Sequence, residues 1–255
     1  MVLPAAICGV CGLYQQGEYT LRKFLASFAL VGALALTVAI GAALAAPGYT
    51  LFGEASVVPG GNPGNAVKMV SDSAPGYGGV DYVVPAGTTF ADLQTLSTDY
   101  KFEADDSCGG GSPRFQVDVT NGTDSGTIFV YIGPPPSYTL CPPNVWANTG
   151  DLLEGVNPID TSQLDLGVFY DPYAAALIKY GSYSVTGVQV VTDAGWFFAD
   201  GEQTAFVDNT NIDGTLYTYE NAESCKNGGW MDLTTADGAP FKNQGDCVSY
   251  MNNGK

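Results

Sequence analysis

Beyond residue 48, apolar residues come in short runs, several alternating with polar ones, and clusters of Gly, Pro, Asn and Asp separate the runs. Alternation puts one kind of side chain on each face of a pleated strand. The runs predict strands over 49–57, 66–70, 80–84, 99–104, 114–119, 127–132, 184–192, 203–208 and 215–219. The separators 59–65, 74–79 and 109–111 are turn-forming by their own chemistry. Many short strands spaced by such turns predict an all-β antiparallel sandwich or barrel.

The segments 114–119 and 127–132, joined by 120–126, read as a hairpin. Phe115, Val117 and Val119 fall on one face and Arg114, Gln116 and Asp118 on the other. The partner run Ile128-Phe129-Val130-Tyr131-Ile132 is apolar on both faces, which predicts a central strand covered twice. One short helix is predicted, with Asp171 as N-cap, Pro172 at the first helical position and the helix proper over 173–180. A single helical turn is expected at 92–96.

The run 24–46 carries no charge, follows Arg22-Lys23 and ends in Ala43-Leu44-Ala45 before Pro47-Gly48. That is the architecture of a secretory signal, so 21–45 is read as a signal peptide and Ala46 as the mature N-terminus. Retention of the segment as a membrane anchor is the alternative, because the run is long enough to span a bilayer. Residues 1–20 fit neither signal nor fold, and are read as a gene-start artefact that would remove Cys8 and Cys11 from the protein.

The chain has nine Lys and Arg against twenty-six Asp and Glu. Arg22, Lys23 and Glu18 precede residue 46, leaving seven against twenty-five. Such a surface repels nucleic acid and anionic membranes. Contact with a membrane is therefore expected only through an uncleaved signal. Cys108, Cys141, Cys225 and Cys247 remain, an even number in an exported chain, and predict disulfides. The pairs Cys108–Cys141 and Cys225–Cys247 are preferred, since each brackets its own Gly- and Pro-rich loop. Residues 46–223 are read as the β-sandwich. Residues 224–255 are read as an appendage too polar for a core of its own, stapled by its disulfide.

Two stretches carry resemblances. The run Gly195-Trp196-Phe197-Phe198 through Gln203-Thr204-Ala205-Phe206-Val207-Asp208-Asn209 resembles the closing strands of jelly-roll domains similar to carbohydrate-binding modules. The likeness implies a jelly-roll-like sandwich. The pattern Cys225-Lys226-x-Gly228-Gly229-Trp230, continued by Phe241-Lys242-Asn243-Gln244-Gly245-x-Cys247-Val248, resembles a tail of uncharacterised secreted proteins of actinobacteria and related bacteria. It implies no activity.

The chain contains no histidine. Ser-His-Asp and Cys-His nucleophile systems, His-ligated zinc and His acid–base chemistry are thereby excluded. A carboxylate pair of the glycosidase kind survives, though no pair stands out among so many acids. Asn209-x-Asn211-x-Asp213-Gly214, with Glu220 after five more residues, matches a calcium-loop pattern except for Asn at its first position. Its ligands would be Asn209, Asn211, Asp213, the Thr215 backbone and Glu220, holding a structural calcium. The loop follows a strand rather than a helix, and the alternative is a hairpin turned at Asp213-Gly214. Arg114, the one arginine after residue 46, shares a strand face with Gln116 and Asp118, and the three are candidate ligand-binding residues. A structural Arg–carboxylate pair is the competing role for Arg114. Tyr138 and Trp146 flank Cys141 in the Pro-rich loop 133–146 and are candidates for stacking on sugar rings. Trp196-Phe197-Phe198 is read as core.

These readings converge on a secreted, noncatalytic binding or surface module whose preferred partner is a glycan or cell-envelope polymer. A secreted carboxylate-dependent glycan hydrolase and a purely structural surface protein are the rivals.

Overall fold

The computed structural model describes residues 48–72, 76–134, 137–154, 157–193, 201–235 and 238–253. The signal segment, residues 1–20 and Trp196-Phe197-Phe198 lie outside them. The chain forms a jelly-roll-like antiparallel β-sandwich. In chain order its strands are β1 (Tyr49–Gly53), β2 (Ala55–Gly61), β3 (Gly64–Ser71), β4 (Gly78–Tyr82), β5 (Leu96–Phe102), β6 (Arg114–Thr120), β7 (Ser125–Tyr131), β8 (Ala147–Asn148), β9 (Pro158–Ile159), β10 (Asp171–Pro172), β11 (Ser184–Thr192), β12 (Gln203–Ile212) and β13 (Thr215–Tyr217). The first sheet runs β1-β4-β11-β6-β7; the second runs β2-β3-β12-β5-β8, with β13 on β12. The chain passes repeatedly from one sheet to the other.

The inner faces follow the alternation in the sequence. Val80, Val188, Val190, Phe115, Val117, Ile128 and Val130 of the first sheet meet Val67, Met69, Ala205, Val207, Leu96 and Phe102 of the second in one buried cluster. Where hydroxyls enter this core they satisfy one another. The Tyr82 and Tyr219 hydroxyls lie 2.5 Å apart, and Thr210 reaches both Tyr82 (3.1 Å) and Thr98 (2.9 Å).

Several expectations are corrected. The run 49–57 is two strands in different sheets. Gly53 takes φ 58°, the left-handed region that suits glycine, and a Cβ there would lie 2.2 Å from the Tyr77 carbonyl oxygen. The chain turns at this point, and the Glu54 amide bonds that carbonyl at 2.8 Å. The 127–132 strand, β7, is a sheet edge and not a central strand. A two-way bridge between Phe129 and Asp160, both bonds 2.9 Å, covers part of that edge. Its outward apolar side chains are shielded by neighbouring side chains, with the Arg114 guanidinium 4.5 Å from the Phe129 ring centre.

Helix α1 spans Tyr173–Tyr180, but Pro172 and not Asp171 is its N-cap. The Asp171 carboxylate is buried, where it pairs with Lys179 and accepts the Thr161 hydroxyl at 2.9 Å, so it is not free to cap. The turn expected at 92–96 lies earlier, as a 3-10 turn Phe90–Asp92 in which Asp92 accepts the Thr89 amide at 2.9 Å. The tail also differs. It contains α2 (Gln244–Asn253), and Cys225, Leu233, Phe241 and Cys247 form a small buried cluster of their own. Phe241 packs against Tyr250 of α2, 5.3 Å between ring centres. The disulfides join Cys108 to Cys141 and Cys225 to Cys247, as the spacing suggested. Among the described residues no helix is long and apolar enough to cross a membrane.

Candidate functional site

The register of the first sheet determines what its outer face displays. Side chains opposite one another in a ladder share a face. One row pairs Phe52 with Gly79, Gly79 with Val191, Val191 with Arg114, and Arg114 with Tyr131. The next pairs Thr50 with Asp81, Asp81 with Gln189, Gln189 with Gln116, and Gln116 with Phe129. A third holds Gly187, Asp118 and Thr127. The face is thus polar in the middle, where Asp81, Gln189 and Gln116 stand, and aromatic at both edges.

Gly79 makes the flat aromatic edge possible. A Cβ on it would lie 2.4 Å from the Phe52 ring and 2.5 Å from the Val190 carbonyl oxygen. Phe52 therefore lies across the strand, and Tyr77, 41% exposed, sits 6.2 Å from it. Between this edge and Arg114 is a depression of about 280 Å³, lined also by Gln116, Gln189 and Asp193.

Arg114 organises the centre. Its guanidinium pairs with Asp193, donates to the Gly111 carbonyl at 2.9 Å and lies over the Phe129 ring. With the Gln116 amide oxygen turned toward it, that oxygen accepts from Arg114 at 2.9 and 3.1 Å, and the amide nitrogen donates to Gln189 at 3.3 Å. The structural Arg–carboxylate pair is therefore formed, while Gln116 stays beside the open depression. Asp118 accepts the Thr127 hydroxyl at 2.5 Å. Burial raises the Asp81 carboxyl above its ordinary value, the Asp118 charge adds to the rise, and a bond from Gln189 opposes it.

The other two sequence candidates are elsewhere. Tyr138 is buried, donates to the Pro158 carbonyl at 2.9 Å and lines a cavity of about 230 Å³. It is linked to the first face through Tyr131, 5.2 Å away, and runs parallel to Tyr170 at 6.2 Å. Trp146 lies on the outer face of the second sheet, where Lys101 sits 4.9 Å from its ring and 4.6 Å from Phe206. The five candidates do not form one site. Sequence reasoning missed Asp81, Gln189, Phe52 and Tyr77. The alternation of Val188 and Val190 with Gln189 points Gln189 outward and was the available signal.

Sequence reasoning also missed an exposed apolar rim formed by Leu140 and residues 166–170. Tyr138, Leu140, Leu166 and Tyr170 adopt φ of 51–67°, while the other non-glycine residues with positive φ among the described residues are Asn or Asp, which tolerate it. Leu140 and Leu166 are each 86% exposed.

Of the calcium-pattern residues, Asn209 and Glu220 line one cavity of about 510 Å³ with Gly214, while Asn211, Asp213 and Thr215 serve the hairpin. Asp213 and Gly214, with φ of 49° and 81°, turn the β12–β13 hairpin, the alternative drawn from the same residues. The Asn211 side chain accepts the Gly214 amide at 2.9 Å, and Thr215 begins β13. Asn209 occupies a bulge in β12 and donates to Asp99 at 2.8 Å. Glu220 accepts the Asn65 amide at 2.9 Å. Asp208, beside Asn209, is almost fully buried and accepts the Asn62 and Asn209 amides, each at 2.7 Å. Its carboxyl is pushed up to about 7 by burial, with the Glu220 and Asp99 charges contributing. Among the described residues no group of three or more Cys, Asp or Glu is arranged to hold a metal ion.

No protein-family profile matches the chain, and no curated protein matches it. Among solved structures, one described as the structural analysis of an exo-beta-agarase is similar at a TM-score of 0.36 and 14% identity. The match covers 67% of this chain and 23% of that one. A likeness of that size carries no functional argument.

Proposed function

We propose that the protein is a noncatalytic extracellular binding module whose ligand is a glycan or cell-envelope polymer, held on the outer face of the first sheet. The observation that carries this reading is the row Asp81–Gln189–Gln116 beside the aromatic edge of Phe52 and Tyr77, across the depression those two rings line with Arg114, Gln116 and Gln189. Amides and carboxylates there meet sugar hydroxyls as donors and acceptors. The exposed Tyr77 ring beside Phe52 meets the apolar face of a sugar ring. The two disulfides fit an oxidising compartment, in keeping with export.

A glycan array probed with the full-length protein from an exporting host tests the reading, with reducing-sugar release measured on every hit. Binding without release is the expected outcome. Release abolished by Asp81→Asn or Asp118→Asn would support the hydrolase rival instead, since those carboxylates share the face. An array without hits would leave the structural surface protein.

A further inference from the structure

We infer that the ligand of this face is an uncharged polysaccharide, and that the face discriminates against polyanionic polymers through its own carboxylates. The inference rests on the glycan reading above and adds the charge class of the ligand.

Arg114 is the cation of this face among the described residues, and its charge is already engaged. Its side chain is 12% exposed, paired with Asp193 and turned toward the Gly111 carbonyl and the Gln116 oxygen. The described lysines stand elsewhere. Lys68 and Lys101 lie on the second sheet against Phe206. Lys179 pairs with Asp171 on α1, and Lys226 with Glu223 in the tail. Lys242 is also in the tail. Against this, the face presents Asp81, Asp118 and Asp193, in a chain whose formal net charge is −17. A carboxylate only accepts hydrogen bonds, so a sugar hydroxyl satisfies it whereas a uronate or sulfate leaves two acceptors opposed. The wider field acts in the same direction on any approaching polyanion.

The test compares the full-length protein on a panel of neutral polysaccharides with their sulfated or carboxylated counterparts, dextran and dextran sulfate among them. Affinity is measured in about 20 mM and about 300 mM NaCl, concentrations that bracket effective screening. The expected result is a neutral ligand whose Kd changes less than about twofold with salt, and anionic counterparts weaker by about tenfold at low salt, the gap narrowing as salt rises. In Asp81→Asn/Asp118→Asn, checked for an unchanged circular dichroism spectrum, the low-salt gap should shrink at least about threefold. Equal or tighter binding of the anionic counterpart to the unmodified protein overturns the inference and leaves the glycan reading standing. A gap unchanged by salt, or unchanged in the double variant, overturns it as well. If no polymer of either class binds, the glycan reading itself fails.

Discussion

Replacing Arg114 with Met keeps the aliphatic stem that packs on the sheet and removes the guanidinium. Asp193, whose side chain is 30% exposed, then loses the cation it pairs with. Breaking a fully buried pair costs about 3–5 kcal/mol. An exposed pair contributes about 0.2–1 kcal/mol. With exposures of 12% and 30%, this pair falls between, and the lost hydrogen bonds and ring contact bring the expected destabilisation to about 2–3 kcal/mol. For a domain of this size that lowers Tm by about 4–12 °C. A double-mutant cycle with Asp193→Asn isolates the pair. Both singles and the double are melted by circular dichroism and by urea, and a coupling of about 1–2 kcal/mol is expected. Coupling within about 0.3 kcal/mol of zero would refute the reasoning, because the guanidinium charge would then not be committed to Asp193. The assignment of that charge to structure, rather than to ligand, would fall with it.

Four further outcomes follow from the same contacts. The Asp208 carboxyl is raised in the folded protein to about 7, so its share of stability is full below its unfolded value and is lost as pH rises through 7. Relative to Asp208→Asn, the unmodified protein should lose about 2–4 kcal/mol between pH 4 and 8, read as the difference between the two Tm profiles; parallel profiles would contradict this. Gly79→Ala sets a methyl against the Phe52 ring and the Val190 carbonyl, so Tm should fall by an amount matching about 1–3 kcal/mol, and an unchanged melt would show that the ring does not lie there. Cys225→Ser opens a link of sequence separation 22 and removes about 3 kcal/mol of restraint, which should make the tail protease-sensitive while the sandwich still melts cooperatively. EDTA and calcium should give the same melting curve, since backbone amides serve both Asp208 oxygens and Glu220 Oε1; a rise in Tm with calcium that is abolished in Glu220→Gln would show an ion bound at the buried Glu220 Oε2.

The local pattern of the chain determined much of this protein. Alternation in 114–119 and 184–192 dictated which side chains enter the core, because a pleat sends neighbours to opposite faces whatever lies beyond the strand. Asp213-Gly214 dictated a hairpin, since few residues accept two successive positive φ angles. The sequence reading missed α2, although Asn243, three residues before Asp246, is a helix-start signal: Asn243 accepts the Asp246 amide at 2.9 Å, and the Lys242 amide donates to Asp246 at 3.1 Å. The choices that needed a partner distant in sequence were left to tertiary structure. Whether 127–132 was central or an edge depended on how many strands pair with it, and β6 alone runs along it, with Asp160 bridging only Phe129 on the far side. Asp171 gave up its capping role because Lys179 and Thr161 enclose it in the folded chain. The candidate face was half visible. Arg114, Gln116 and Asp118 were on one strand, but only the register across β1, β4 and β11 set Phe52, Asp81 and Gln189 beside them. Register is a property of strand pairing, and no single strand contains it.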